Sequence, residues 1–378
     1  MSDFDLGGIL RSLFARDGTS LGHVWIPDGH VIDANNQPVQ FPTSYAVEDA
    51  YVMISLAEMF LKHTRVLWRE FYPVVHSFIT YGNAQAPQAV GTVAGPGQLK
   101  DLGTANLDKV IPLAFPLAGP IVYDGQNIEA LLGLYAVPAK DGAAILINTL
   151  SQLSSIVPQL AAATQVAGVL KTGTEQMLGI DGTQLKLGLH NSFFPVTGGE
   201  GFIARPGFAL AVSKPSNKVD SKRMWVVNGR LRIGDNPISA QAPDDFDYML
   251  IQFYAGPPRV NIWGTIPSLA DHTPAFENAL KADAATRRTA VNLAFSVFES
   301  ELAKSRDLTK SDKSAVRALV AQDLKDRVLA LETGSLFELK SFGSEDVVRE
   351  DPALFRPHKI ELTGETRPER EPGLPLWS

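Results

Sequence analysis

The 378-residue chain is 45% hydrophobic and 20% charged, which places it among folded globular proteins and excludes disorder as a description of the whole. Cysteine is absent, so disulfides, thiolate metal sites, iron–sulfur clusters and a cysteine nucleophile are excluded together. A formal net charge of −7 argues against binding of a nucleic-acid backbone as the main activity, and the length predicts two or three domains, or one large domain with appendages.

The opening Met-Ser-Asp-Phe-Asp-Leu-Gly-Gly carries acidic residues where a secretory signal needs basic ones, and no apolar run follows. A cytoplasmic location is the expectation. Leu6, Ile9, Leu10, Leu13 and Phe14 have the spacing of a short amphipathic helix. Between residues 22 and 40, Asp28-Gly29 separates two β-branched runs and predicts a hairpin. From Ser44, a candidate N-cap, apolar residues recur at three and four as far as Tyr72 (Val47, Tyr51, Ile54, Phe60, Leu61, Leu67, Trp68, Phe71). That spacing predicts a long helix ended by Pro73, with Glu58, Lys62, Arg65, Arg69 and Glu70 on its wet face. Residues 83–109, centred on Gly95-Pro96-Gly97, have linker composition.

The block that follows reads as strands around an uncharged stretch. Pro112, Pro116 and Pro120 keep 110–123 extended, and Ile128–Leu134 and Gln184–Leu189 are leucine-rich strand candidates. Between them, Gly142 to Leu170 contains no charged residue. A helical insertion over 142–178 packed on the sheet is the expectation. Pro158 and a series of Ser, Thr, Asn and Gln residues leave no run near the ~20 apolar residues of a spanning helix. Phe208–Val212, Met224–Val227, Arg230–Ile233 and Tyr248–Phe253 continue as strands, with Asn228-Gly229 joining two of them in a type I′ hairpin.

Beyond residue 270 the pattern turns helical. Thr273-Pro274 reads as a cap and first turn, and Thr309 with Asp312 as an approximate capping box. Gly334 ends that helix, and residues 344–378 form a proline-rich tail. The predicted class is α+β: a central antiparallel, sandwich-like β domain with a helical insertion, flanked by an N-terminal helix and C-terminal helices. The division is an N-terminal hairpin and helix (1–82), linker (83–109), β-rich core (110–270), helical section (271–343) and tail (344–378).

Candidate chemistry is sparse. His23, Asp28, His30 and Asp33 lie in the predicted hairpin, but the odd spacing of His30 and Asp33 puts them on opposite faces of a strand, poor geometry for a metal. His63 and His76 lack the paired spacing of a zinc helix. His190-Asn191-Ser192 ends a strand without the Gly-x-Ser-x-Gly elbow of a hydrolase. Gly95-Pro96-Gly97 and Gly198-Gly199-Glu200-Gly201 lack the features of a phosphate cradle. Asp244-Asp245-Phe246-Asp247 offers oxygen ligands, and equally reads as a solvated turn. No catalytic, cofactor-binding or metal residue is assigned. The expected function is a non-catalytic interaction or assembly component of a larger complex, reached through a protein partner or self-association, with Leu374, Leu376 and Trp377 of the tail as anchors. The alternatives are a membrane-active protein using 142–170 and a hydrolase with a non-local site near His190.

Overall fold

The computed structural model of the chain describes residues 22–62, 65–66, 69–82, 88–94, 111–138, 183–194, 202–213 and 219–333. In chain order the strands are β1 (Gly22–Trp25), β2 (Val31–Ile32), β3 (Tyr51–Phe60), β4 (Arg65–Val66), β5 (Arg69–Tyr81), β6 (Gln88–Ala94) and β7 (Ile111–Val122). They continue as β8 (Ile128–Pro138), β9 (Gln184–Phe194), β10 (Phe202–Ile203), β11 (Gly207–Val212), β12 (Met224–Val227), β13 (Arg230–Ile233) and β14 (Tyr248–Ala255). A 3₁₀ turn at Val260–Thr265 leads into α1 (Pro267–Ala270), α2 (His272–Leu280), α3 (Arg287–Lys304) and α4 (Lys310–Thr333). The class is α+β with antiparallel sheets.

One sheet has five strands in the order β1–β11–β14–β3–β7, all antiparallel. A second runs β10–β9–β8–β5–β4, with β6 also paired along β5, and is antiparallel except where β10 meets β9. A third, small sheet has the order β13–β12–β2, in which β2 runs parallel to β12.

The central strands of the five-stranded sheet, β11, β3 and most of β14, are buried on both faces, and the sequence of β11 and β14 alternates between two apolar clusters. Ala209, Ala211, Met249, Ile251 and Phe253 join Val75, Ile79, Leu132, Leu134, Leu187 and Leu189 of the six-stranded sheet in the first cluster. Phe208, Leu210, Val212, Tyr248 and Leu250 turn the other way, toward Val31, Met224, Val226 and Leu231 of the small sheet. Each fully buried side chain of this size contributes roughly 1.5–3 kcal/mol. A third cluster, with Trp263, Phe276, Phe298, Val316 and Val320, holds the helical section together. Among the described residues no helix is long and apolar enough to cross a membrane.

The N-terminal helix expected over 44–72 is corrected: this region contains β3, β4 and the start of β5. Every residue of Tyr51–Phe60 is buried. A strand covered on both faces is apolar at nearly every position, so matches at three and four appear in it without helical meaning. Pro73 sits inside β5, opposite Ala136, just before the stretch Val75–Tyr81 that pairs with β6. Its missing N–H therefore falls where no β6 residue asks for one.

The N-terminal hairpin is likewise corrected. Pro27 to His30 forms the expected turn, with the His30 N–H donating to the Pro27 carbonyl at 3.0 Å, but β1 pairs with β11 and β2 with β12. Within the stretch read as a linker, Gln88–Ala94 forms β6 on β5. Further along, sequence and structure agree closely for β7, β8, β9, β11, β12, β13 and β14, and Asn228 and Gly229 have the positive φ values (52° and 72°) of a I′ turn. Helix α2 begins two residues early, with Asp271 rather than Thr273 as N-cap and Pro274 in the first turn. Thr309 caps α4, its Oγ1 accepting the Asp312 N–H at 3.2 Å. The segments 5–15, 142–178 and 344–378, with the anchors Leu374, Leu376 and Trp377, lie outside the described residues.

Candidate functional site

The hairpin residues singled out for chemistry are engaged in holding the fold. The Asp28 carboxylate accepts two hydrogen bonds of 2.8 Å from Arg205, whose guanidinium lies over the Trp25 ring. The His30 ring stacks on Trp225 at 4.1 Å and its Nδ1 meets the Met224 carbonyl at 2.9 Å. Asp33 Oδ1 accepts the Asn35 and Gln37 N–H groups, closing a local turn. His23 has its pKa lowered by burial.

The other candidates are equally dispersed. Asp247 Oδ1 accepts the Lys62 N–H at 2.7 Å and the Asp245 carbonyl accepts Lys62 Nζ, so the acidic turn clasps the residue that ends the β3 region. His76 is buried in β5, which pushes its imidazole down to about 4. Ser192 is half-buried opposite Glu129, and the backbone of His190 pairs with Leu131; the His190 side chain and all of His63 lie outside the described residues. Among the described residues no three His, Asp or Glu side chains gather as a metal site would require.

The most perturbed carboxyl is one the sequence placed on a wet helix face. Glu58 is 0% exposed. Its orientation follows from a bulge in β3. Leu250 pairs with Glu58 and Ile251 with Leu56, so Ala57 is skipped; the β7 side also shifts register between Leu56 and Glu58. Before the bulge the even positions Val52, Ile54 and Leu56 face the first cluster. After it, Met59 faces that cluster while Phe60 faces the second. The extra residue re-aims Glu58 toward the small sheet, as bulges do beside specialised side chains.

There Tyr248 Oη donates to Glu58 Oε1. Oε2 has no hydrogen-bond partner among the described residues. Burial pushes the Glu58 carboxyl up to about 7, against the Tyr248 hydrogen bond and the attraction of Arg230 and Arg232, which favour the anion. Burial and the neighbouring carboxylate drive the Tyr248 phenol far above the ordinary tyrosine range, so it stays a donor. A carboxyl poised near neutrality in an apolar setting is the kind of group that functional sites contain.

A second polar cluster joins the helical section to the five-stranded sheet. Asp312, buried in the first turn of α4, accepts the Tyr51 Oη–H at 2.7 Å and the Arg259 main-chain N–H at 2.6 Å. The Thr309 N–H donates to Tyr51 Oη at 3.1 Å, and the Arg259 guanidinium lies over the Tyr51 ring. Lys310 and Ser311 donate their N–H groups to the Glu48 carbonyl and the Asp49 carboxylate. Orphan donors of the helix N-terminus thus bind the chain just ahead of β3.

Sequence reasoning missed both clusters. A usable signal existed for Glu58, the lone charged residue in the ten-residue run Tyr51–Phe60. Tyr51 and Asp312 are 261 residues apart, and no local pattern links them. No family model, no curated protein and no solved structure matches the chain.

Proposed function

We propose that the chain is a non-catalytic interaction or assembly component of a larger cytoplasmic complex. Its frame, on this reading, is a sandwich-like pair of sheets, supported by the one apolar cluster that draws on strands of both. The observation that carries the proposal is on α3. Val291, Phe298 and Leu302 bury one side of that helix, while Leu293 and Val297, one turn apart on another side, are 68% and 50% exposed. Single exposed apolar residues are ordinary on a protein surface; a pair at i and i+4 makes a stripe that a neighbouring chain can cover. The tail residues Leu374, Leu376 and Trp377 belong to the same proposal as further anchors.

The test is solution mass by light scattering over a concentration series, for the full chain, for a chain ending at Gly343 and for L293E/V297E. Self-association predicts a mass that rises with concentration and is reduced to that of the monomer by the α3 pair, with an unchanged circular dichroism spectrum and an unfolding midpoint that no longer depends on concentration. A monomer at every concentration overturns self-association. An oligomer that survives the α3 variant but not truncation moves the contact to the tail.

A further inference from the structure

We propose that the small β2–β12–β13 sheet is a pH-gated flap on the five-stranded sheet, seated while the Glu58 carboxyl beneath it is neutral and loosened when that carboxyl ionises. The geometry supplies three reasons. The flap is slight: its strands have two, four and four residues, so few main-chain hydrogen bonds hold it, and its seat is the apolar contact of Val31, Met224, Val226 and Leu231 with β11 and β14. Elements with few such contacts open at low free energy. Glu58 lies under that contact, with one oxygen bound by Tyr248 and the other without a hydrogen bond among the described residues. An ionised carboxylate left this way is far more costly to bury than a neutral one.

The groups facing Glu58 set the direction. Tyr248 on β14 donates one hydrogen bond, and on β13 the charges of Arg230 and Arg232 favour the anion, as does, more weakly, the Leu231 N–H, which falls short of a hydrogen bond to Oε2. Burial outweighs them and raises the carboxyl to about 7. A carboxyl whose pKa is higher when buried than when free stabilises the seated state below its free pKa, near 4.5. That contribution is lost as pH rises through about 7. Opening the flap lets water reach the carboxylate, so the loss falls on the flap before it falls on the sheet below. The neighbouring elements otherwise present apolar side chains, Met224 and Val226 from β12 and Val31 from β2. His30 is the other titratable group on the flap, stacked on Trp225. A Glu58→Gln chain retains His30 and so separates the two.

The experiment is hydrogen–deuterium exchange on the full chain at several pH values between 5 and 8, with each rate corrected for intrinsic exchange. Peptides covering 224–233 are compared with those covering β11 and β14. Opening of 224–233 is expected to increase on the order of fiftyfold from pH 5 to pH 8, with little change in β11 and β14, and E58Q is expected to flatten the profile. An equal increase in all sheets, or no increase at 224–233 in the wild-type chain, overturns the flap without reference to any variant. A wild-type profile that persists in E58Q assigns the effect to His30 and overturns the role of Glu58.

Discussion

Replacing Asp312 with alanine removes the acceptor that ties the helical section to β3. Two donors lose their partner at once, the buried Tyr51 hydroxyl at 2.7 Å and the half-buried Arg259 N–H at 2.6 Å. Hydrogen bonds to a charged group are worth about 1.5–3 kcal/mol each, and a buried donor left unmade loses its hydration as well. Asp312→Ala should therefore destabilise the chain by roughly 3–5 kcal/mol. Both donors meet the same oxygen, Oδ2, so Asp312→Asn keeps one carbonyl oxygen that can accept both, loses only the charge on the acceptor, and should cost about half as much. The assay is urea unfolding followed by circular dichroism, with Tyr51→Phe and the Tyr51→Phe/Asp312→Ala double variant closing a cycle. A coupling energy of about 1 kcal/mol or more is expected, because the two side chains touch. Additive single effects, or an Asp312→Ala cost below about 1 kcal/mol, would refute the view that this contact holds the two parts together.

Two further outcomes follow from other buried positions. His76 is held near 4 against an ordinary 6.5, so its contribution is intact above about pH 6.5 and is lost as pH falls through that range toward 4. Glu58 runs in the opposite sense over an overlapping window, so the measurement belongs in E58Q. There, stability should fall by about 2 kcal/mol between pH 7.5 and pH 5, and His76→Leu should abolish most of that fall in urea midpoints. Gly119 has φ +111°, and a Cβ built there would lie 2.6 Å from the Val52 carbonyl oxygen, main chain that cannot swing aside. Gly119→Ala is expected to cost roughly 2–4 kcal/mol in thermal or urea unfolding. A neutral result would mean that β3 and β7 can separate locally without penalty.

The sequence made much of the β framework legible. Strands β8, β9, β11 and β14 are bounded by turn residues, and Asn228-Gly229 announces its hairpin directly. The failure at β3 has a physical origin. A strand covered on both faces loses the period of two that distinguishes strands from helices, and the remaining apolar run satisfies either template. The helical template then places Glu58 in solvent, because a charged residue on a helix ordinarily faces water. The bulge at Ala57, which decides its direction, is defined by pairing with β14 and β7 and leaves no mark in the local sequence. The partners of β1 and β2 were hidden for the same reason. Short strands near a turn look like a hairpin until distant strands compete for their edges, and here β11 and β12 win.

The central place of β3 also governs the order in which the chain becomes safe during its own synthesis. Its two edges are closed by β7 and by β14, and β14 begins 188 residues after β3 ends. At translation rates of roughly 5–20 residues per second, that interval is on the order of 10–40 s. Throughout it, a ten-residue segment that is apolar on both faces has one edge without its native neighbour. The α4 contact that anchors Tyr51 emerges later still. The nascent chain therefore exposes an edge of its most fully apolar-covered strand early and closes it late.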